Sequence, residues 1–161
     1  MIRKIAAGIL FPLVLFSGKA LEVSADRFTH IESEHRAVFE GNAHAKEGKS
    51  RIDARKFIVY FDANNSAKEY RAIGDVRFEI VRPDQHVKGR CDRLTYRVDK
   101  ETYRLSGNAR VIDLLNKRRM QGEEIFLDNK NHSASAKSGR EGPVKFIFQM
   151  EDKSKKKKQK R

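Results

Sequence analysis

Apolar and charged side chains alternate along most of this chain. Val76, Phe78 and Ile80 share one parity, and Arg77, Glu79 and Val81 take the other. A period of two marks a strand with one covered face. Leu21–Ala25 alternates in the same way, Phe28 and Ile31 punctuate the next stretch, and Ala37–Phe39 follows. Near the far end, Val144, Phe146, Phe148 and Met150 share one face of a predicted last strand that closes the fold. Polar segments separate these runs: Asp62–Ser66, Arg82–Gln85, Val98–Glu101, Asn116–Arg119 and Asp128–Asn131. Strand, turn and strand at spacings of about 8–12 residues predict an all-β domain. Beyond the first apolar run, no window sustains helical periodicity for more than two turns.

The alternation is written three times. Tyr70–Phe78 reads YRAIGDVRF, Tyr103–Val111 reads YRLSGNARV, and Phe39–Ala45 carries the shorter FEGNAHA. Gly41, Gly74 and Gly107 stand at equal intervals, the signature of a repeat. Glycine followed by Asn or Asp suits a backbone that turns with positive φ. A second unit recurs in Ile52–Phe61, Gly89–Val98 and Met120–Asp128. There the small residues Ala54, Cys91 and Gly122 are each followed by two charged residues, then by Phe57, Leu94 or Ile125. Val59, Tyr96 and Leu127 come two positions later. The parity skips one step at the same place in every copy, as a β-bulge or corner requires.

With 161 residues, 39% hydrophobic and 35% charged, the chain suits one domain with a modest core. Residues 1–20 stand apart. Arg3 and Lys4 precede the apolar run Ile5–Phe16, and Gly18–Ala20 supplies small residues for cleavage. That layout predicts a secretory signal peptide, and the run falls short of the roughly 20 residues of a spanning helix. An uncleaved anchor is the competing reading. Cys91 is the single cysteine, so no internal disulfide forms and sheet pairing with burial must hold the domain. A periplasmic address fits this better than a disulfide-rich secreted one. The net charge of +13 is concentrated in the tail Lys153–Arg161, while bases and acids in the body nearly balance. The charge therefore describes the tail more than the fold, and nucleic acid is not an expected partner. The division is a leader at 1–20, a β domain at 21–150, and a tail at 151–161 too polar to order.

Candidate catalytic groups are sparse. His30, His35, His44, His86 and His132 form no chelating pair. No nucleophile elbow or phosphate-cradling loop is present, and Glu123 and Glu124 point to opposite faces of one strand. The expectation is no enzyme, no metal and no cofactor. The inward parity carries more: Phe57, Val59, Phe61, Val76, Phe78, Ile80, Leu94, Tyr96, Tyr103, Leu105, Val111, Ile125 and Leu127. Two readings of this set stand. It fills an ordinary sandwich core, or stacked repeats leave a groove between two sheets that accepts acyl chains. In the second, Arg71, Arg77, Arg104 and Arg110 stand at the rim to meet anionic head groups. The end strands, with Leu21 and Val23 at one end and Val144, Phe146 and Phe148 at the other, are candidate edges for partners. First edge against last edge builds an open head-to-tail chain.

The glycine units at fixed spacing, together with Leu94-Thr-Tyr96 followed by Tyr103-Arg-Leu-Ser-Gly-Asn-Ala109 behind a signal peptide, resemble the OstA-like (LptA) family of Gram-negative bacteria. The resemblance spans roughly residues 21–150. It implies a twisted β-jellyroll of stacked antiparallel strands, slightly open like a V, whose interior takes the lipid A acyl chains of lipopolysaccharide. It also implies end-to-end association with further copies and with related jellyroll domains of inner-membrane and outer-membrane transport subunits. No cofactor is implied. Within such a machine the rival is the anchored inner-membrane subunit. From another class, the rival is a structural β-repeat filament that binds no lipid. The Lys-rich tail is outside the family pattern. It either touches anionic lipid or keeps the chain soluble.

Overall fold

Among the described residues, ten strands make one antiparallel sheet that folds over on itself. The structure, a computed structural model, describes residues 21–150; the expected signal peptide and Lys-rich tail lie outside the described residues. The strands are β1 (Glu22–Ser24), β2 (Arg27–Ile31), β3 (Arg36–Glu47), β4 (Ser50–Phe61), β5 (Ala67–Arg82), β6 (Gln85–Arg97), β7 (Thr102–Asp113), β8 (Arg118–Asp128), β9 (Ser133–Lys137) and β10 (Lys145–Phe148). One 3-10 turn, Glu32–Glu34, is the only helical element among the described residues. None of their helices is long and apolar enough to cross a membrane.

Strands β3 to β8 pair in sequence order and are each shared by two half-sheets. At one end of the stack, β2 pairs with the first half of β3 and β1 with its second half. At the other end, β9 pairs with the second half of β8 and β10 with its first. The half-sheet bounded by β2 and β9 is called upper, and that bounded by β1 and β10 lower.

The fold line between them is where the sequence skips a step. Register shifts fall between Glu40 and Ala43, Asp53 and Lys56, Ile73 and Val76, Arg90 and Arg93, and Ser106 and Ala109. Gly41, Gly74 and Gly107 have φ of 80°, 86° and 83°, and Asn42, Asp75 and Asn108 follow at 46°, 46° and 50°. Two left-handed residues in succession bend a strand without ending it. The glycine units are therefore kinks inside continuous strands, not chain reversals. A side chain from the preceding segment lies across each glycine: Asp26, in the link between β1 and β2, on Gly41, and the bulged Arg55 of β4 and Asp92 of β6 on Gly74 and Gly107. Gly139 repeats the arrangement against Glu123, a fourth corner that the sequence interval does not mark.

Folding the sheet brings inward residues of both halves together. One cross-strand row of the upper half runs Phe39, Phe57, Ala72, Leu94, Leu105, Ile125. Val59, Val76, Leu105 and Ile125 are the largest fully buried side chains, each contributing about 1.5–3 kcal/mol by burial. The last strand departs from expectation. It pairs with β8 but does not close the fold, since Phe146 and Phe148 remain 50% and 54% exposed. Among the described residues no further strand covers them, because β10 is the sheet's terminal member on that side.

Candidate functional site

The half-sheets do not fill the space between them. A cavity of about 110 Å³ lies there, walled from above by Phe57, Tyr70, Ala72, Leu94, Tyr96, Tyr103, Leu105 and Leu127. Ile52, Phe78, Ile80 and Val87 wall it from below, with Arg82, Gln85 and Asn129 at the strand ends. Gly89 explains part of the space. It stands opposite both Phe78 and Val111, and a Cβ on it would collide with the Phe78 ring. The ring therefore lies across bare backbone.

An aromatic series leads from the β2 end of the stack into this cavity. Ring centroids are 4.9 Å apart for Phe28–Phe39, 6.4 Å for Phe39–Phe57, 6.0 Å for Phe57–Tyr70, 6.4 Å for Tyr70–Tyr96 and 4.4 Å for Tyr96–Tyr103. Its outer member, Phe28, is 48% exposed. The apolar interior thus ends in exposed aromatic side chains at both ends of the stack.

Burial, above all, raises the tyrosine hydroxyls of Tyr70, Tyr96 and Tyr103. Tyr96 and Tyr103 share a hydrogen bond, and the nearby Arg82 charge opposes the rise at both. Burial, then Asp92, pushes the Cys91 thiol up to about 12. Cys91 is a buried core residue opposite Val76, and a thiol so placed is inert. These groups set an alkaline limit. An acid raised in the folded state favours folding below its unfolded pKa, about 8.5 for Cys and 10 for Tyr. That contribution is lost as pH climbs toward the folded value. The urea midpoint is expected to hold through neutral pH and fall steadily from about pH 9 upward. A midpoint flat to pH 11 would contradict the assigned burial.

Of the expected site residues, Phe57, Phe78, Ile80, Leu94, Tyr96, Tyr103, Leu105 and Leu127 line the cavity. Val59, Phe61, Val76 and Ile125 are instead packed into the core, and Val111 lies half-buried against it. Ile52, Tyr70, Ala72 and Val87 complete the wall and share the inward parity, which extended to them would have found them. Arg82, Gln85 and Asn129 sit at strand ends, where alternation carries no signal. The expected rim arginines are a correction. Arg71 points outward to Glu69 at 2.6 Å and over the Tyr60 ring at 4.6 Å. Arg104 bonds Glu124 at 3.0 Å and covers Phe126, while Arg77 and Arg110 lie on the outward face of the lower half-sheet. Residues next to inward ones along a strand must point away. Arg82, at the mouth, is the base that meets the cavity.

Among the described residues no group of three or more His, Cys, Asp or Glu is placed to hold a metal ion. His44 instead meets Asp53 at 2.7 Å and His86 meets Glu79 at 2.9 Å. The arrangement is an apolar slot with a guanidinium and two hydroxyls at its mouth, which suits an amphiphile with an anionic head.

Comparison with known proteins agrees with this architecture. No curated protein matches the chain in sequence. Among solved structures, LptH, described as the LptA homologous periplasmic component of the lipopolysaccharide transport device of Pseudomonas aeruginosa, is similar with a TM-score of 0.69. It is 19% identical, and the match covers 82% of this chain and 96% of LptH. A likeness at that identity speaks for the fold, the expected open β-jellyroll. The model of the family described as "LptA/(LptD N-terminal domain) LPS transport protein" matches residues 22–133, and the chain belongs to that family.

Proposed function

We propose that this chain is a periplasmic, non-enzymatic carrier of lipopolysaccharide that shields lipid A acyl chains between its half-sheets. The observation that carries the reading is the apolar cavity with Arg82 and the Tyr96–Tyr103 pair at its mouth. Chains enter the slot and the phosphorylated head stays at the guanidinium. At about 110 Å³ the cavity is smaller than the roughly 300–1,000 Å³ of sites for drug-sized ligands. Loading therefore requires the half-sheets to part along the fold line. Neighbouring protomers meet through the terminal strands. Leu21 and Val23 at the β1 end are packed on the core, whereas Val144, Phe146 and Phe148 at the β10 end are exposed and await a cover. Related jellyroll domains of inner-membrane and outer-membrane subunits would extend the same stack into a bridge.

The small cavity also favours a second reading, a filament-forming β-repeat protein whose closed core takes no lipid. Photo-crosslinking to lipopolysaccharide separates the two. Probes at Phe78 and Tyr96 are expected to give adducts, and probes at exposed Arg55 and at Lys130 in the β8–β9 turn none. End-to-end oligomers without adducts at any position would leave the filament.

A further inference from the structure

The outward face of the lower half-sheet carries a second surface, on the opposite side of the sheet from the cavity. Register places Arg77 opposite Arg90, Arg90 opposite Arg110, Arg110 opposite Gln121, and Gln121 opposite Lys145. The next outward row runs Glu79, Lys88, Ile112, Arg119, Ile147. Like charges directly opposite each other are unfavourable in a sheet. On the upper outer face three bases are matched: Arg71 has Glu69, Arg104 has Glu124 and Lys56 has Glu40. In this patch Arg77 lies 3.7 Å from Asp75 and Lys88 lies 3.4 Å from Glu79. Among the described residues no carboxylate pairs with Arg90, Arg110, Arg119 or Lys145. Asp53 stands opposite Arg77 at the start of the row, so compensation inside the patch stops there, and an arrangement left uncompensated at Arg90 and Arg110 is expected where a partner supplies what is missing.

The same face is apolar toward the β7–β8 turn. Ile112, Leu114 and Ile147 line one shallow hollow with Lys117 and Arg119. Ile147 is 57% exposed, and Leu115, at the tip of the turn, 54%. The turn reads Asp113-Leu-Leu-Asn-Lys-Arg-Arg119, two exposed leucines separated by Asn116 from three successive bases. Strand β10 borders this half-sheet, and two residues past its end the sequence enters a tail with seven further bases.

We propose that this face docks on a bilayer surface containing anionic phospholipid, with Leu114 and Leu115 entering the head-group boundary while Arg90, Arg110 and Arg119 meet phosphates. An array of bases collects anionic lipid head groups, and a small apolar projection beside it adds insertion. A membrane satisfies both features at once, whereas a soluble polyanion would leave the leucines in water. In the carrier, such contact would hold one face of the jellyroll at a bilayer while the cavity stays open on the other side.

Flotation of the full-length mature chain with vesicles tests this, comparing phosphatidylglycerol–phosphatidylcholine mixtures with phosphatidylcholine alone at about 0.1 M salt. Because the tail is itself basic, the comparison is also run in a chain whose seven tail bases are changed to Ser. Binding to the anionic vesicles alone is expected in both backgrounds. The pair Arg90→Gln and Arg110→Gln is expected to weaken it about 30-fold, and Leu115→Ser several-fold. Arg71→Gln with Arg104→Gln, on the other outer face, is expected to leave it unchanged. Removing opposed arginines relieves repulsion, so the Arg90/Arg110 variant is expected to melt no lower than the parent. Equal binding to neutral vesicles, or binding lost with the tail bases and indifferent to Arg90 and Arg110, would overturn the assignment. So would a change of oligomeric state in an Ile147→Ser variant with vesicle binding intact, since the patch would then be a protein interface.

Discussion

Gly107→Val is expected to lower the unfolding free energy by about 3 kcal/mol or more, a loss of the size expected from a buried core change. Two costs act at one atom. The backbone stands at φ 83°, where a β-branched residue loses about 1–2 kcal/mol. The new Cβ would also fall on the Asp92 side chain, which lies across the glycine from the neighbouring strand. Overpacking of that kind costs typically 1–3 kcal/mol. Asn108 is the built-in comparison, since it too is left-handed, at φ 50°, but carries a side chain there already. Asn108→Gly is expected to shift the midpoint only slightly. Urea unfolding of the two variants beside the parent measures the difference. If Gly107→Val proved as stable as Asn108→Gly, the corner would not be the constraint that bends the sheet. The consequence reaches the site, because the cavity exists only while the corner row holds the half-sheets face to face.

The second large effect separates packed core from cavity wall within one strand. Val76 and Phe78 are two apart on β5 and share a parity, yet Val76 is fully buried and Phe78 lines the cavity. Val76→Asp places a carboxylate where no water reaches, at a cost of about 2–7 kcal/mol for an unsatisfied polar group, and more if it stays charged. Against a typical stability of about 5–15 kcal/mol, that variant is expected to be largely unfolded or molten by near-ultraviolet circular dichroism. Phe78→Asp stands nearer the mouth, where Arg82 and water are at hand. It is expected to remain folded and to lose affinity for fluorescent lipopolysaccharide by about 30-fold or more, since an acyl chain would meet a carboxylate. Two folded variants with undiminished binding would remove the slot as the binding site. Equal unfolding of both would show that the wall is ordinary core.

Much of the fold was legible because its rule is local. Alternation assigns each residue to a face from its neighbours alone, and the shared skip after Ala54, Cys91 and Gly122 located the fold line without any knowledge of pairing. The same locality misled where a choice was non-local. Arg77 and Arg110 could be counted as outward, but not as far from the mouth, because the mouth is made by strand ends that register brings together. Arg82 and Asn129 belong to different turns and meet one cavity only through that pairing.

The sequence by itself determined the repeat, the strand parity, the positions of the corners, and the absence of any disulfide to help them. The tertiary structure decided which inward residues became packed core and which became cavity wall. Val59 and Ile125 have the same parity as Tyr96 and Leu127, and only the facing half-sheet distinguishes them. It also decided that three arginines stand in file on the outside, since neighbours across strands are set by hydrogen-bonded register between distant segments. Face is a property of one strand. Enclosure belongs to two half-sheets that the chain pairs only once it has folded.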